Sequence, residues 1–282
     1  CLAAALALPL PPALAAKGVI TTNTPVAIRR PVAVAALTFI FALAGKLFEK
    51  DRLTRAGRWN ERTAHMGLGL ALAADGKLDE AGRSVEEAIR KDNGNPSAYH
   101  TLGLVALRQG RNEQALSAFD KAIALRPESA GSVIGRGDAL FAQGKHDQAL
   151  AAYKQAATLA PGSFVPHGKR AQALERLKRP DEAEAAYRDA LRVEPNNAMM
   201  LNNLAFLLVG RKSKLDEALK MAQRAVMLDP ATSNYSDTLG AVLLARGDVP
   251  GARRAFERAL SQDPGNTTLR QRVAQLDRKS VV

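Results

Sequence analysis

Small side chains return along this chain at a fixed interval. Gly69, Gly103, Gly137, Ala171, Ala205 and Gly240 stand 34, 34, 34, 34 and 35 residues apart. A second set, Ala81, Ala115, Ala149, Ala183, Ala218 and Ala252, follows twelve residues later, thirteen in the fifth unit. A third, Ala88, Ala122, Ala156, Ala190, Ala225 and Ala259, follows seven after that. Such a period argues against a single globular core and for a stack of like units, each burying its apolar face on its neighbours. Two helices approach closely only where both carry small side chains at the crossing, so each unit is expected to be an antiparallel helix pair. Composition agrees: the 46% hydrophobic content is mostly Ala and Leu, aromatics are 5%, and charged residues are 24%, a helix-forming inventory.

Other landmarks keep the same period. Phe119, Tyr153, Tyr187 and Phe256 fill the space beside the crossing, with Val85 and Ala222 in their place in units one and five, where looser packing is expected. Gly76, Gly110, Gly144 and Gly247 separate the paired helices, with Lys178 in the fourth unit. Glycine takes the left-handed backbone that ends a helix. Asp79, Glu80, Asp147, Asp181, Glu182, Asp216 and Glu217 open second helices, at the positive end of the dipole. Pro127, Pro161, Pro195, Pro230 and Pro264 close the units, because proline cannot continue a helix. Beyond Pro264, residues 266–278 carry an apolar stripe of Leu269, Val273 and Leu276, with Arg270, Gln271, Arg272 and Gln275 off it. That is the pattern of a terminal cap, docked on one side and wet on the other.

The pattern, in phrases such as Tyr99…Leu102-Gly103…Ala115…Phe119…Ala122…Pro127, resembles the tetratricopeptide repeat over about residues 62–264. The resemblance implies an all-α fold, a right-handed superhelical solenoid of six helix-turn-helix repeats over 62–265 with a capping helix and tail over 266–282. It implies protein or peptide binding in the concave face lined by first helices. Carried over by position, the groove residues are His100, Thr101, Leu104, Arg108, Ile134, Asp138, Lys169, Gln172, Arg176, Met199, Asn202, Asn203, Phe206, Asn234, Asp237 and Thr238, preceded by Met66 and Leu70. Asn202-Asn203 stands out, because side-chain amides pair with the backbone of an extended peptide. The alternative for any one of these residues is a solvated face. Some members grip a C-terminal carboxylate with fixed Lys, Asn and Arg positions. Here only Asn203 fits, and Gly168, Gln172, Asn234 and Thr238 occupy the remaining places. The chain departs from the pattern at its two missing aromatics and at the extra residue in Arg211-Lys212-Ser213-Lys214.

Reactive chemistry is not indicated. One Cys and four scattered His supply neither a disulfide framework nor a metal cluster, and no catalytic residue, cofactor or metal is expected. His65 and His167 sit at inter-repeat packing positions, His146 in a turn, and His100 in the groove without a carboxylate or Cys to make it a base. Gly137 to Lys145 fails as a phosphate loop, because His146 follows the lysine where Ser or Thr is required. The formal charge of +12 leaves nucleic acid and anionic membranes open as partners. The basic residues are dispersed, however, whereas nucleic-acid binding asks for gathered charge with stacking aromatics, so nucleic acid is not favoured.

The N-terminal region reads differently. Residues 1–16, CLAAALALPLPPALAA, carry no charge and look like the apolar core and cleavage site of a secretory signal. A lipidated Cys1 and an uncleaved membrane helix are alternatives. Residues 17–61 form a polar linker and a candidate transmembrane helix, 31–48. At 1.5 Å per residue that run covers about 27 Å, just under a hydrocarbon core. The alternative is an apolar helix packed on the repeats. Lys46, Lys50, Arg52, Arg55, Arg58 and Arg62 against Lys17, Arg29 and Arg30 weakly favour a cytoplasmic repeat domain, but either side stays open. With the resemblance to bacterial repeat proteins that organise envelope machinery, the expectation is a non-enzymatic, membrane-associated scaffold assembling an envelope or export complex. An accessory module of a larger enzyme and a nucleic-acid-binding array are the alternatives.

Overall fold

The computed structural model describes Leu72 and residues 76–279 of the 282. Among these it forms twelve α-helices and no strand. Segments 1–16 and 17–61, the candidate membrane helix 31–48, and Met66 and Leu70 lie outside the described residues. In chain order the helices are α1 (Leu78–Lys91), α2 (Pro96–Arg108), α3 (Asn112–Leu125), α4 (Ala130–Ala142), α5 (His146–Leu159), α6 (Val165–Arg176), α7 (Pro180–Val193), α8 (Ala198–Gly210), α9 (Leu215–Leu228), α10 (Ser233–Ala245), α11 (Val249–Gln262) and α12 (Thr267–Lys279). Helix α1 is the second helix of unit one. The pairs α2/α3 to α10/α11 are the next five hairpins, and α12 is the cap. The result is an all-helical solenoid in which each helix packs on its sequence neighbours.

Local chemistry sets the boundaries. Oδ1 of Asn95, Asn197 and Asn266 accepts from the backbone N–H of Ser97, Met200 and Leu269 at 3.0, 3.0 and 3.1 Å, and Asp248 does so from Gly251 at 2.9 Å. These bonds satisfy donors that a helix start leaves unpaired. The turn glycines Gly76, Gly110, Gly144 and Gly247 take φ of 77°, 72°, 77° and 85°. Lys178 and Lys212 replace glycine in units four and five at φ 58° and 50°, which costs a side chain roughly 1–2 kcal/mol. Lys214, beside the extra residue of unit five, is also left-handed at φ 50°.

The crossings pack as the small residues require. Ala81, Ala115, Ala149, Ala183, Ala218 and Ala252 are all 0% exposed. A Cβ added at Gly103 would lie 2.7 Å from the Phe119 ring, and one at Gly137 would lie 2.5 Å from Tyr153. Phe119 also reaches forward, because a Cβ at Gly135 on the next hairpin would come within 2.3 Å of the same ring. One aromatic thus wedges two units together. Unit five is not loose: Ala222 shares its core with Leu204 and Leu208, each 0% exposed. Unit one is open. Gly82 stands where later units carry Leu116, Leu150, Glu184, Leu219 and Arg253, and a cleft of about 740 Å³ opens beside it, bordered by Tyr99, Gln109, Ser117 and Lys121.

Charges fasten the later hairpins. Glu184 on α7, 8% exposed, pairs with Arg188, Arg211 and Lys214, and Arg188 adds a two-pronged contact to Glu217 at 2.7 and 2.9 Å. This knot holds the extra residue of unit five against the preceding hairpin. On the cap, Leu269 and Leu276 are buried against Phe256 and Ala252. Arg272, expected to face water, instead lies 5.7 Å from the Phe256 ring centre and pairs with Asp237.

Candidate functional site

Each first helix buries its small-residue side on its partner, and a stripe at i, i+3/i+4 and i+7 is left on the opposite side. On α4 the stripe is Ile134, Asp138 and Phe141. On α6 it is Lys169, Gln172 and Arg176, and on α8 it is Met199, Asn203 and Phe206. None of these nine is buried. Five of them, Phe141, Gln172, Arg176, Asn203 and Phe206, line a cleft of about 350 Å³ together with Glu175 and Tyr187. A second cleft of about 610 Å³ shares Glu175, Arg176 and Phe206 and runs on to Lys178, Pro180, Leu207, Gly210 and Arg211. Phe206, 58% exposed, stands between the two.

Second-helix tyrosines reach through the hairpins to hydrogen-bond carboxylates on this face. The Tyr153 hydroxyl donates to Asp138 at 2.7 Å, and Lys169 Nζ pairs with the same carboxylate at 3.0 Å. The Tyr187 hydroxyl donates to Glu175 at 3.2 Å. Burial pushes the Glu175 carboxyl above its ordinary range, against the pull of the Tyr187 hydrogen bond and the nearby Arg176. Burial likewise raises both tyrosine hydroxyls, reinforced by Asp138 and Glu175. Asn202 donates to Asn203 at 3.3 Å, and Asn203 lines the cleft beside Tyr187. A polar chain therefore runs from inside α8 to the cleft, while Asn202 Oδ1 has no donor.

The positions carried over from the sequence divide three ways. Gln172, Arg176, Asn203 and Phe206 come together in the cleft, with Lys169 and Met199 beside them on the same stripes. Thr101, Asn202 and Thr238 are 4%, 2% and 3% exposed. The two threonine hydroxyls bond the backbone carbonyls of Ser97 and Asn234 at 2.9 and 3.0 Å, so these three side chains do not face the groove. The rest are separate. His100 is half-buried, with Nδ1 3.1 Å from Ser132 Oγ and its ring edge-on to Phe119, and burial lowers its pKa. Leu104 and Arg108 are exposed farther along α2, Ile134 packs against the core, and Asn234 is exposed on α10. Asp237 is taken by the cap through Arg272.

Phe141, Glu175 and Lys178 line the clefts without having been singled out in the sequence. Lys178 had been noted only as a turn residue, and Phe141 and Glu175 lie at a repeat place that no groove rule covers. Among the described residues, no group of three or more His, Cys, Asp or Glu could hold a metal ion. No described helix is long and apolar enough to cross a membrane.

Comparison with curated proteins finds no match. Solved structures do match the fold. YrrB, described as a TPR protein with an unusual peptide-binding site, is 18% identical, with a TM-score of 0.53 over 68% of this chain and 97% of that one. PilF of Pseudomonas aeruginosa is 19% identical, with a TM-score of 0.67 over 78% and 99%. MamA of Desulfovibrio magneticus RS-1 is 18% identical, with a TM-score of 0.53 over 61% and 97%. Family models described as tetratricopeptide repeat match residues 41–96, 100–164, 140–205 and 233–276, most of the chain, the first beginning ahead of the boundary read at residue 62. With its stacked hairpins and small-residue crossings, the chain belongs to the tetratricopeptide-repeat family.

Proposed function

We propose that this chain is a non-catalytic scaffold whose first helices grip a segment of a partner polypeptide, and that it does so at a bacterial membrane as part of an envelope or export assembly. The observation that carries the binding role is Phe206. A phenylalanine left 58% exposed among Gln172, Arg176 and Asn203 in a concave lining is an anchor awaiting a cover: apolar contact supplies affinity while amides and a guanidinium fix the backbone of what binds. The structural relative described as having a peptide-binding site is consistent with that role. The membrane part rests on the sequence alone, on the apolar run 31–48 followed by Lys50, Arg52, Arg55 and Arg58.

In-cell cross-linking from a photoreactive residue placed at Gln172, followed by fractionation and mass spectrometry, tests both halves. A defined partner that cross-links to the native protein and is lost on Phe206→Ala is expected, and it should be recovered in the membrane fraction. The same cross-links in the Phe206→Ala variant would refute the groove, and recovery wholly in the soluble fraction would refute the membrane placement.

A further inference from the structure

The three stripes of the binding face differ in chemistry. Helix α4 supplies Phe141, and α8 supplies Met199 and Phe206. Between them α6 presents Lys169, Gln172 and Arg176, and Lys178 follows at its end. A cationic strip thus lies between two apolar ridges. Nearby carboxylates leave part of that strip unmatched. Asp138 is occupied by Tyr153 and Lys169. Asp181 and Glu184 are occupied by Arg211. Glu175 is half-buried and accepts the Tyr187 hydroxyl. Among the described residues, Arg176 and Lys178 enter no ion pair, though both line the cleft that Phe206 borders.

Unpaired cations beside an exposed ring favour one kind of occupant. A carboxylate brought to Arg176 in the partly desolvated cleft makes a charge-assisted hydrogen bond, and a basic group there meets repulsion. The apolar ridges ask for a side chain of their own kind. Resting on the reading of this face as a polypeptide-binding groove, we infer that the cleft takes an extended partner segment in which an apolar side chain, seated against Phe206, is flanked by carboxylates that pair with Arg176 and Lys178. The selectivity comes from this chain's own strip, since the positions of a terminal-carboxylate clamp are absent from it.

The test compares fluorescein-labelled peptides that share a central Phe-Leu pair and differ in their flanks: Asp and Glu, Ser and Gly, or Lys and Arg. Anisotropy titrations should show the acidic peptide binding roughly tenfold more tightly than the serine one, with the basic peptide weakest. The double variant Arg176→Glu, Lys178→Glu should reverse that order. The variant Arg83→Glu, Lys121→Glu, on the outer cleft beside α1, changes net charge equally and should preserve it. Equal affinity across the flanks, or an acidic preference that survives the Arg176 and Lys178 reversal, would overturn the inference. A random-peptide display selection separates this from the broader reading. Peptides enriched by the native protein and lost with Phe206→Ala, yet without acidic bias, leave the groove standing and remove its selectivity. No enrichment over Phe206→Ala removes the groove itself. Circular dichroism confirms that each variant retains its helices.

Discussion

Two glycines in helix interiors should respond in opposite ways to the same substitution. In Gly82→Ala, on α1, the new methyl would find, among the described residues, only Val105 Cγ1 at 3.9 Å. It gains the helix preference of alanine over glycine, about 0.8–1 kcal/mol. In Gly135→Ala, on α4, the gain is the same, but the methyl would lie 2.3, 2.4 and 2.8 Å from three atoms of the Phe119 ring. That ring is 0% exposed and is packed as closely against Gly103, so it has little room to swing away. Overpacking of this kind costs about 1–3 kcal/mol. The two variants should therefore differ by about 1–3 kcal/mol, with Gly82→Ala stabilised and Gly135→Ala neutral to destabilised. In an array of this length each kcal/mol moves the melting temperature by about 2–4 °C. Circular-dichroism melts read the difference, and amide exchange in α1 and α4 reads it locally, which matters where repeats open separately. Placing Gly135→Ala in a Phe119→Leu background should restore much of the helix gain, a coupling expected only of groups in contact. A Gly135→Ala protein stabilised as much as Gly82→Ala, with no coupling to position 119, would refute the wedge.

Other consequences can be measured directly. Lys212→Gly, at φ 50°, should raise stability by about 1 kcal/mol through relief of left-handed strain, seen as a higher urea midpoint; an unchanged or lower midpoint would mean that the lysine is not strained. Burial pushes the Glu184 carboxyl up, but hydrogen bonds from Lys214 and Arg188 outweigh it and hold it below its ordinary 4.5, and Arg188 holds Glu217 down likewise. A depressed folded-state value means that this stability is present above pH 4.5 and drains away as pH falls through the folded-state values. Glu184→Gln should thus cost about 1–2 kcal/mol at neutral pH and lose less on further acidification. Parallel melting curves of the two proteins across pH would contradict the knot.

Much of the fold was legible because its causes recur. Ala149 or Gly137 alone says little, but each has a counterpart a repeat length away, and the turn glycines and unit-closing prolines fall between them in phase. The site was less legible for a geometric reason. Successive helix residues are turned about 100° apart, so of two adjacent positions such as Asn202 and Asn203 one can face the groove while the other is turned into the stack. The carried-over pattern offered both, and the structure turns Asn203 outward and Asn202 inward. The same split separates His100 from Thr101 and Asp237 from Thr238. Partners arriving from another helix were invisible in the chain order: the Tyr153 and Tyr187 hydroxyls at Asp138 and Glu175, and Arg272 of the cap at Asp237.

The gap beside Gly82 gives the rod a direction. Asp79 ties α1 to Gln109 and Arg111 by exposed contacts only, whereas Phe119 wedges two hairpins, the Glu184 knot fastens later ones, and α12 closes the far end with Leu269, Leu276 and Arg272. Val85 is a smaller bolt than Phe119, and a notch of about 740 Å³ opens on the same helix beside Gly82. In a stack held only by adjacent layers, separation starts at the weakest seam. Under heat or pulling force the stack should part first at the seam between α1 and the α2/α3 hairpin, while the Phe206 cleft, several layers away, keeps its shape longer.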